Sequence, residues 1–150
     1  MDPVPVREIV SGLEETGKPL PPVLRQLSNL GVEEMAAFAA AWPVLDATRR
    51  RLVARRLVEL AAESVKLSYD SIFRYLMGDR DEEVRRLAIE GLWESEDPSL
   101  ISPFIRIMEQ NVSPRVQQAA AKALGRFSVL AELGKLRTIY AVRRQVLYWR

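Results

Sequence analysis

A chain of 150 residues with 22 Lys and Arg, 20 Asp and Glu, no His and no Cys can bury about 70% of its unfolded surface without a covalent staple. Missing cysteine excludes disulfides, thiolate nucleophiles and Cys-based metal sites and fits a reducing, cytoplasmic setting. Missing histidine removes the usual general base near neutral pH and the usual metal ligand, so no metal, cofactor or catalytic residue is expected.

The opening residues, "MDPVPVREIVSGLEETG", carry acids early and no apolar run, unlike a secretory signal or transit peptide. Ile9, Val10 and Leu13, then Leu24, Leu27 and Leu30, predict inward faces of a helical N-terminal cap over residues 1–31. Pro21, Pro22, Gly31, Pro43, Gly78, Pro98 and Pro114 then separate helical segments of about 10 to 17 residues. Asp97-Pro98 and Ser113-Pro114 each pair an oxygen-bearing cap with a proline where no intrahelical N–H is needed. No alternating run with a tight turn predicts a hairpin, and charge interrupts every apolar run well short of the ~20 residues that span a bilayer.

From residue 33 the chain aligns with itself at an offset of 31. Phe38 falls on Tyr69 and Leu100, Trp42 on Phe73 and Phe104, and Leu45 on Leu76 and Ile107, which describes a first helix. Val53 falls on Val84 and, with one extra turn residue, on Val116; Leu57 on Ala88 and Ala120; Ala61 on Leu92 and Leu124, which describes a second. A helical pair of this length cannot close a core alone and must stack on its neighbours. The expected organisation is a single all-α domain, 1–150, with repeats at 33–64, 65–96 and 97–130 and a C-terminal helix at 134–150.

That last segment places Ile139, Val142, Val146 and Trp149 at helical spacing among arginines. It is expected to close the array or to mediate self-association with another chain; contact with an anionic membrane or RNA is the alternative. Residues after Glu132 hold five bases and no acid, so residues 1–132 carry 17 bases against 20 acids. A near-neutral body does not favour nucleic acid as the partner.

The run "DRDEEVRRLAIEGL" (79–92), through Asp79, Asp81, Val84, Arg85, Ala88 and Leu92, resembles the second helix of HEAT repeats, notably the short units of phycobilin lyases. "SPRVQQAAAKALG" (113–125) is similar through Val116, Ala120 and Leu124, with Gln117 in place of the arginine, whereas "RLVARRL" (51–57) keeps only the apolar spacing. The resemblance implies a right-handed α–α superhelix whose second helices line a concave docking face. It also implies an ion pair from Arg85 to Asp79 or Asp81, which Gln117 could not imitate.

With Val84, Ala88 and Leu92 inward, Arg86, Glu90 and Glu94 share the opposite stripe. The equivalent positions are Arg55, Glu59 and Glu63 in the first repeat and Gln118, Lys122 and Arg126 in the third. As a solvated face these residues would form ion pairs worth about 0.2–0.5 kcal/mol each. As a protein-binding face, Arg55, Arg86, Glu90, Glu94, Gln118, Lys122 and Arg126 would select a partner, with Trp93 as apolar anchor. Arg49, Arg50, Arg51, Arg55 and Arg56 form a basic cluster that could meet phosphate, with Glu33, Glu34, Asp46, Glu59 and Glu63 nearby in sequence to neutralise it. Arg56 is expected to reach out from the core edge.

Trp93 and Asp97 also resemble a pair in the groove of HEAT-like DNA glycosylases, but Asp97 reads more simply as a helix cap. The preferred expectation is a non-enzymatic scaffold or adaptor binding protein through its second-helix face. The alternatives are a subunit of a phycobilin-lyase-like enzyme and a nucleic-acid-binding HEAT-like protein.

Overall fold

The computed structural model describes residues 4–15, 20–110 and 113–134. All regular structure among them is helical. Apart from Gly134, the predicted C-terminal helix lies outside the described residues. The chain forms two compact units, Met1–Leu92 and Trp93–Arg150.

The first unit contains α1 (Val6–Gly12), α2 (Leu20–Leu24), α3 (Val32–Ala41), α4 (Ala47–Glu63), α5 (Asp70–Leu76) and α6 (Glu82–Gly91). Its helices form two layers: α1 packs on α3 and α3 on α5, while α2 packs on α4 and α4 on α6. The two aligned sets of apolar columns explain this arrangement. Phe38, Trp42, Leu45, Tyr69, Phe73 and Leu76 are buried from α3, α5 and the turns beside them, and Val53, Leu57, Val84, Ala88 and Leu92 from α4, α6 and the turn after it. Burying each large apolar side chain contributes about 1.5–3 kcal/mol. Only Ala61, near the end of α4, stays half-exposed. Ile9, Val10, Leu13, Leu24, Leu27 and Leu30 are buried as well.

Aromatic packing fixes α3 against α5. Phe38 stacks on Trp42 with centroids 5.3 Å apart and meets Tyr75 edge-on at 6.0 Å. Tyr69 donates its hydroxyl proton to the Leu24 carbonyl at 2.9 Å, so this buried ring leaves no unpaired oxygen. α5 and α6 approach closely enough to require a glycine. A Cβ on Gly91 would lie 2.5–2.7 Å from three ring carbons of Phe73, well inside van der Waals contact.

The second unit begins with a 3-10 turn, Pro98–Leu100, leading into α7 (Ile101–Gln110), followed by α8 (Pro114–Glu132). Asp97 accepts from the Ser99 N–H and Ser113 from the Val116 N–H, so both Pro-containing starts carry their caps. α7 packs on α8, burying Leu100, Phe104, Val116, Ala120 and Leu124, with Phe104 against Phe127 at 6.2 Å. Ile107 remains half-exposed. The expected helix lengths are corrected at both extremes: α2 has 5 residues, α1 and α5 have 7, and α8 has 19.

Candidate functional site

On α4 and α6 the buried stripe forces a charged stripe outward. Val53, Leu57, Val84 and Ala88 point into the core, leaving Arg55 and Glu90 exposed and Arg86 half-buried. These side chains form one ladder through Glu83. Arg55 Nη2 lies 3.9 Å from Glu83 Oε1, Glu83 accepts from Arg86 at 2.6 Å, and Arg86 donates to Glu90 at 3.0 Å. Glu83, joined by Glu90, holds the Arg86 guanidinium more firmly protonated than usual. The face is thus ionised and internally paired. Each exposed pair contributes only about 0–1 kcal/mol, so the ladder can exchange partners at little cost.

Glu94 does not belong to the helical stripe. α6 ends at Gly91, and the Leu92 N–H satisfies the final carbonyls, leaving Trp93 and Glu94 in the following turn. Glycine's poor helix propensity and the C-terminal bonding explain the early stop.

In the second unit, the Arg126 guanidinium sits 5.5 Å from the Trp93 ring centroid and donates to the Ser95 carbonyl at 3.0 Å. A cation over an aromatic face holds the ring by roughly 0.5–1 kcal/mol at an exposed site. Trp93 stays 46% exposed, so one face of a large apolar ring is presented and oriented. Gln118 and Lys122 are exposed on α8.

The basic cluster on α4 is largely used by the chain itself. Arg49 donates to the carbonyls of Leu13 and Glu15, Arg51 pairs with Asp81 at 2.5 Å, and Arg56 is exposed and pairs with Glu59 at 2.8 Å. Arg50 is buried, with only 5% of its side chain exposed, and reaches Asp79 at 3.3 Å and the Leu45 carbonyl at 2.5 Å. The expected acids 33, 34, 46 and 63 are replaced as partners by Asp79, Asp81 and Glu83 of the following helical pair; Glu59 alone serves as expected.

Asp79 is the centre of this arrangement. Its carboxylate accepts from Trp42 Nε1 at 2.8 Å, Arg50 Nε at 3.3 Å and the Asp81 N–H at 3.0 Å. Asp81 caps α6 through the Val84 N–H, and the Arg51 hydrogen bond holds its carboxyl below the usual range.

The implied Arg85 ion pair is therefore corrected. Arg85 donates to the backbone carbonyls of Asp79 and Arg80 at 2.8 and 3.1 Å, because arginines from α4 occupy the two carboxylates. Gln117 performs the equivalent task, donating Nε2 to the Met108 carbonyl at 3.2 Å. An amide suffices where the acceptor is a carbonyl.

The Arg50–Asp79–Trp42 cluster was not foreseen, although a signal exists. Arg50 lies three and seven residues before the core positions Val53 and Leu57, on the buried stripe, where a charge requires a buried partner.

The family model described as HEAT repeats matches residues 70–146, just over half of the chain. The chain belongs to the HEAT-repeat family. Searches of curated proteins and of solved structures gave no match. The matched residues include α5, α6, α7 and α8. Among the described residues, no group of three or more acidic side chains could hold a metal ion, and no helix is long and apolar enough to cross a membrane.

Proposed function

We propose that this HEAT-repeat protein is a non-enzymatic scaffold or adaptor, working in the cytoplasm and binding protein through its second helices. The contact set is Arg55, Arg86 and Glu90 of the first unit, with Trp93, Glu94, Gln118, Lys122 and Arg126 of the second. The reading takes 33–64, 65–96 and 97–130 as the repeats of one binding domain. Its principal support is Trp93, a half-exposed aromatic side chain oriented by Arg126. Such anchors carry much of the energy of protein interfaces. The charged ladder supplies exchangeable pairs that select a partner more than they hold it.

Nucleic acid is the less favoured partner because Arg49, Arg50 and Arg51 are committed to Leu13, Glu15, Asp79 and Asp81. Affinity purification from source cells, comparing the native chain with an Arg86→Glu/Lys122→Glu variant, tests the proposal. A reproducible partner should be depleted by the variant at unchanged helicity. Equal recovery with both chains, or retardation of DNA without a protein partner, would remove the reading.

A further inference from the structure

The outward rows of the helices differ in how their charge is balanced. On α4 and α6, Arg55, Glu83, Arg86 and Glu90 pair with one another. The outer face of α3, exposed at Val32 and Val44, borders a furrow in which Arg7 and Glu14 balance, so no charge there selects a partner. α8 is the exception. With Val116, Ala120, Ala123, Leu124 and Phe127 buried, its outward row runs through Arg115, Gln118, Lys122, Arg126 and Val129 to Leu133 at the C-cap, at spacings of three and four. Residues 93–134 carry five acids against four bases, yet three of those bases stand in this row and no acid does. Lys122 is exposed and has no ion-pair partner among the described residues. Lys122 and Arg126 are like charges at a spacing of four, which weakens a helix that has no counter-charge beside it.

The row also changes character along its length. Its first three turns are cationic, whereas Val129 and Leu133, 58% and 65% exposed, continue it as an apolar end, and Arg126 holds the exposed Trp93 ring alongside. Gly125 lies between the two halves. A Cβ there would meet nothing within 4 Å, so packing does not call for the poorest helix former after proline. Its missing side chain lets a partner's backbone come close.

We infer that the α8 row receives an acidic segment of a protein partner, with carboxylates on Arg115 and Lys122 and aliphatic or aromatic side chains on Trp93, Val129 and Leu133. The inference rests on the protein-binding role proposed above and specifies the partner's chemistry. Carboxylates supply the counter-charge that the row lacks, and complementary charge fixes which segment docks. A nucleic acid would also bring anions, but its phosphate backbone offers nothing to cover two exposed aliphatic side chains. Residues 135–150 hold five bases and no acid, so they bring no carboxylate side chain to the row.

Fluorescence anisotropy with the full chain and a labelled synthetic peptide of mixed Asp, Glu, Leu and Phe provides the test. Binding is expected, and Arg115→Glu/Lys122→Glu or Val129→Ser/Leu133→Ser should each weaken it about tenfold or more. All four side chains are exposed, so far-UV circular dichroism should not change. Added salt should weaken the complex, the exposed Lys66→Glu control should bind as the native chain does, and a peptide with Lys at every acidic position should not bind. Carbodiimide, which joins a lysine to a carboxylate in contact with it, should link Lys122 to the peptide. Lys122→Arg should bind normally and lose that link. An acidic peptide that does not bind, binding indifferent to Arg115→Glu/Lys122→Glu, or an oligonucleotide that displaces the peptide from the row would overturn the inference. If a protein partner is still depleted by Arg86→Glu/Lys122→Glu in that case, the proposed function stands and the acidic segment alone falls; if no partner is recovered, both fall.

Discussion

Replacing Asp79 by alanine is the most informative perturbation of the first unit. It leaves the Arg50 guanidinium, whose side chain is 5% exposed, without its carboxylate and leaves Trp42 Nε1 without its acceptor. Removing one partner of a buried ion pair costs about 3–5 kcal/mol, a substantial part of the 5–15 kcal/mol typical of a folded domain. At roughly 2–4 °C per kcal/mol for a chain of this size, melting should fall by about 6–20 °C. Asp79→Asn, which retains an acceptor for the indole, should cost less. Asp79→Ala combined with Arg50→Met should recover much of the loss, since an apolar replacement leaves no stranded charge. Urea unfolding followed by circular dichroism gives the required differences. A loss below about 1 kcal/mol, as for an exposed pair, or strictly additive single changes would refute the proposed role of this cluster.

Gly91→Ala places a Cβ against the Phe73 ring and should destabilise by about 1–3 kcal/mol; in combination with Phe73→Leu the urea-measured loss should be less than additive. Asp81 is held below the ordinary carboxylate range by the Arg51 hydrogen bond. Its contribution is therefore present above the unfolded pKa and lost as pH falls through the folded value. Asp81→Asn, which preserves a cap, should flatten the acid limb of urea midpoint against pH; an unchanged limb would contradict the assignment. Arg126→Ala should free Trp93, raising acrylamide quenching of tryptophan fluorescence and costing about 0.5–1 kcal/mol. Unchanged quenching would show that Arg126 does not hold the ring.

The core was legible because apolar residues recur with both helical and repeat periods. Phe38, Tyr69 and Leu100, which fall on one another when the chain is aligned with itself, are all buried. Charged contacts were harder to infer because a carboxylate's partner depends on which helix lies alongside it. Asp79 and Asp81 stand near Arg85 in sequence, but α4 brings Arg50 and Arg51 to them. Glu94 shares helical spacing with Arg86 and Glu90 only while the helix continues, and α6 stops at Gly91. The outer face of α3 was overlooked because alanine is both an excellent helix former and a weak hydrophobic signal. Its exposure emerges only when Phe38 and Trp42 define the inward direction.

The central functional claim is that second helices receive a protein partner. Photo-crosslinking in source cells, with benzoylphenylalanine placed at Glu90, at Lys122 or at the exposed first-helix position Ser71, tests it most directly. One discrete protein adduct, shared by the Glu90 and Lys122 probes and absent from the Ser71 probe, is expected. Adducts from Ser71 with none from the second-helix positions would contradict it.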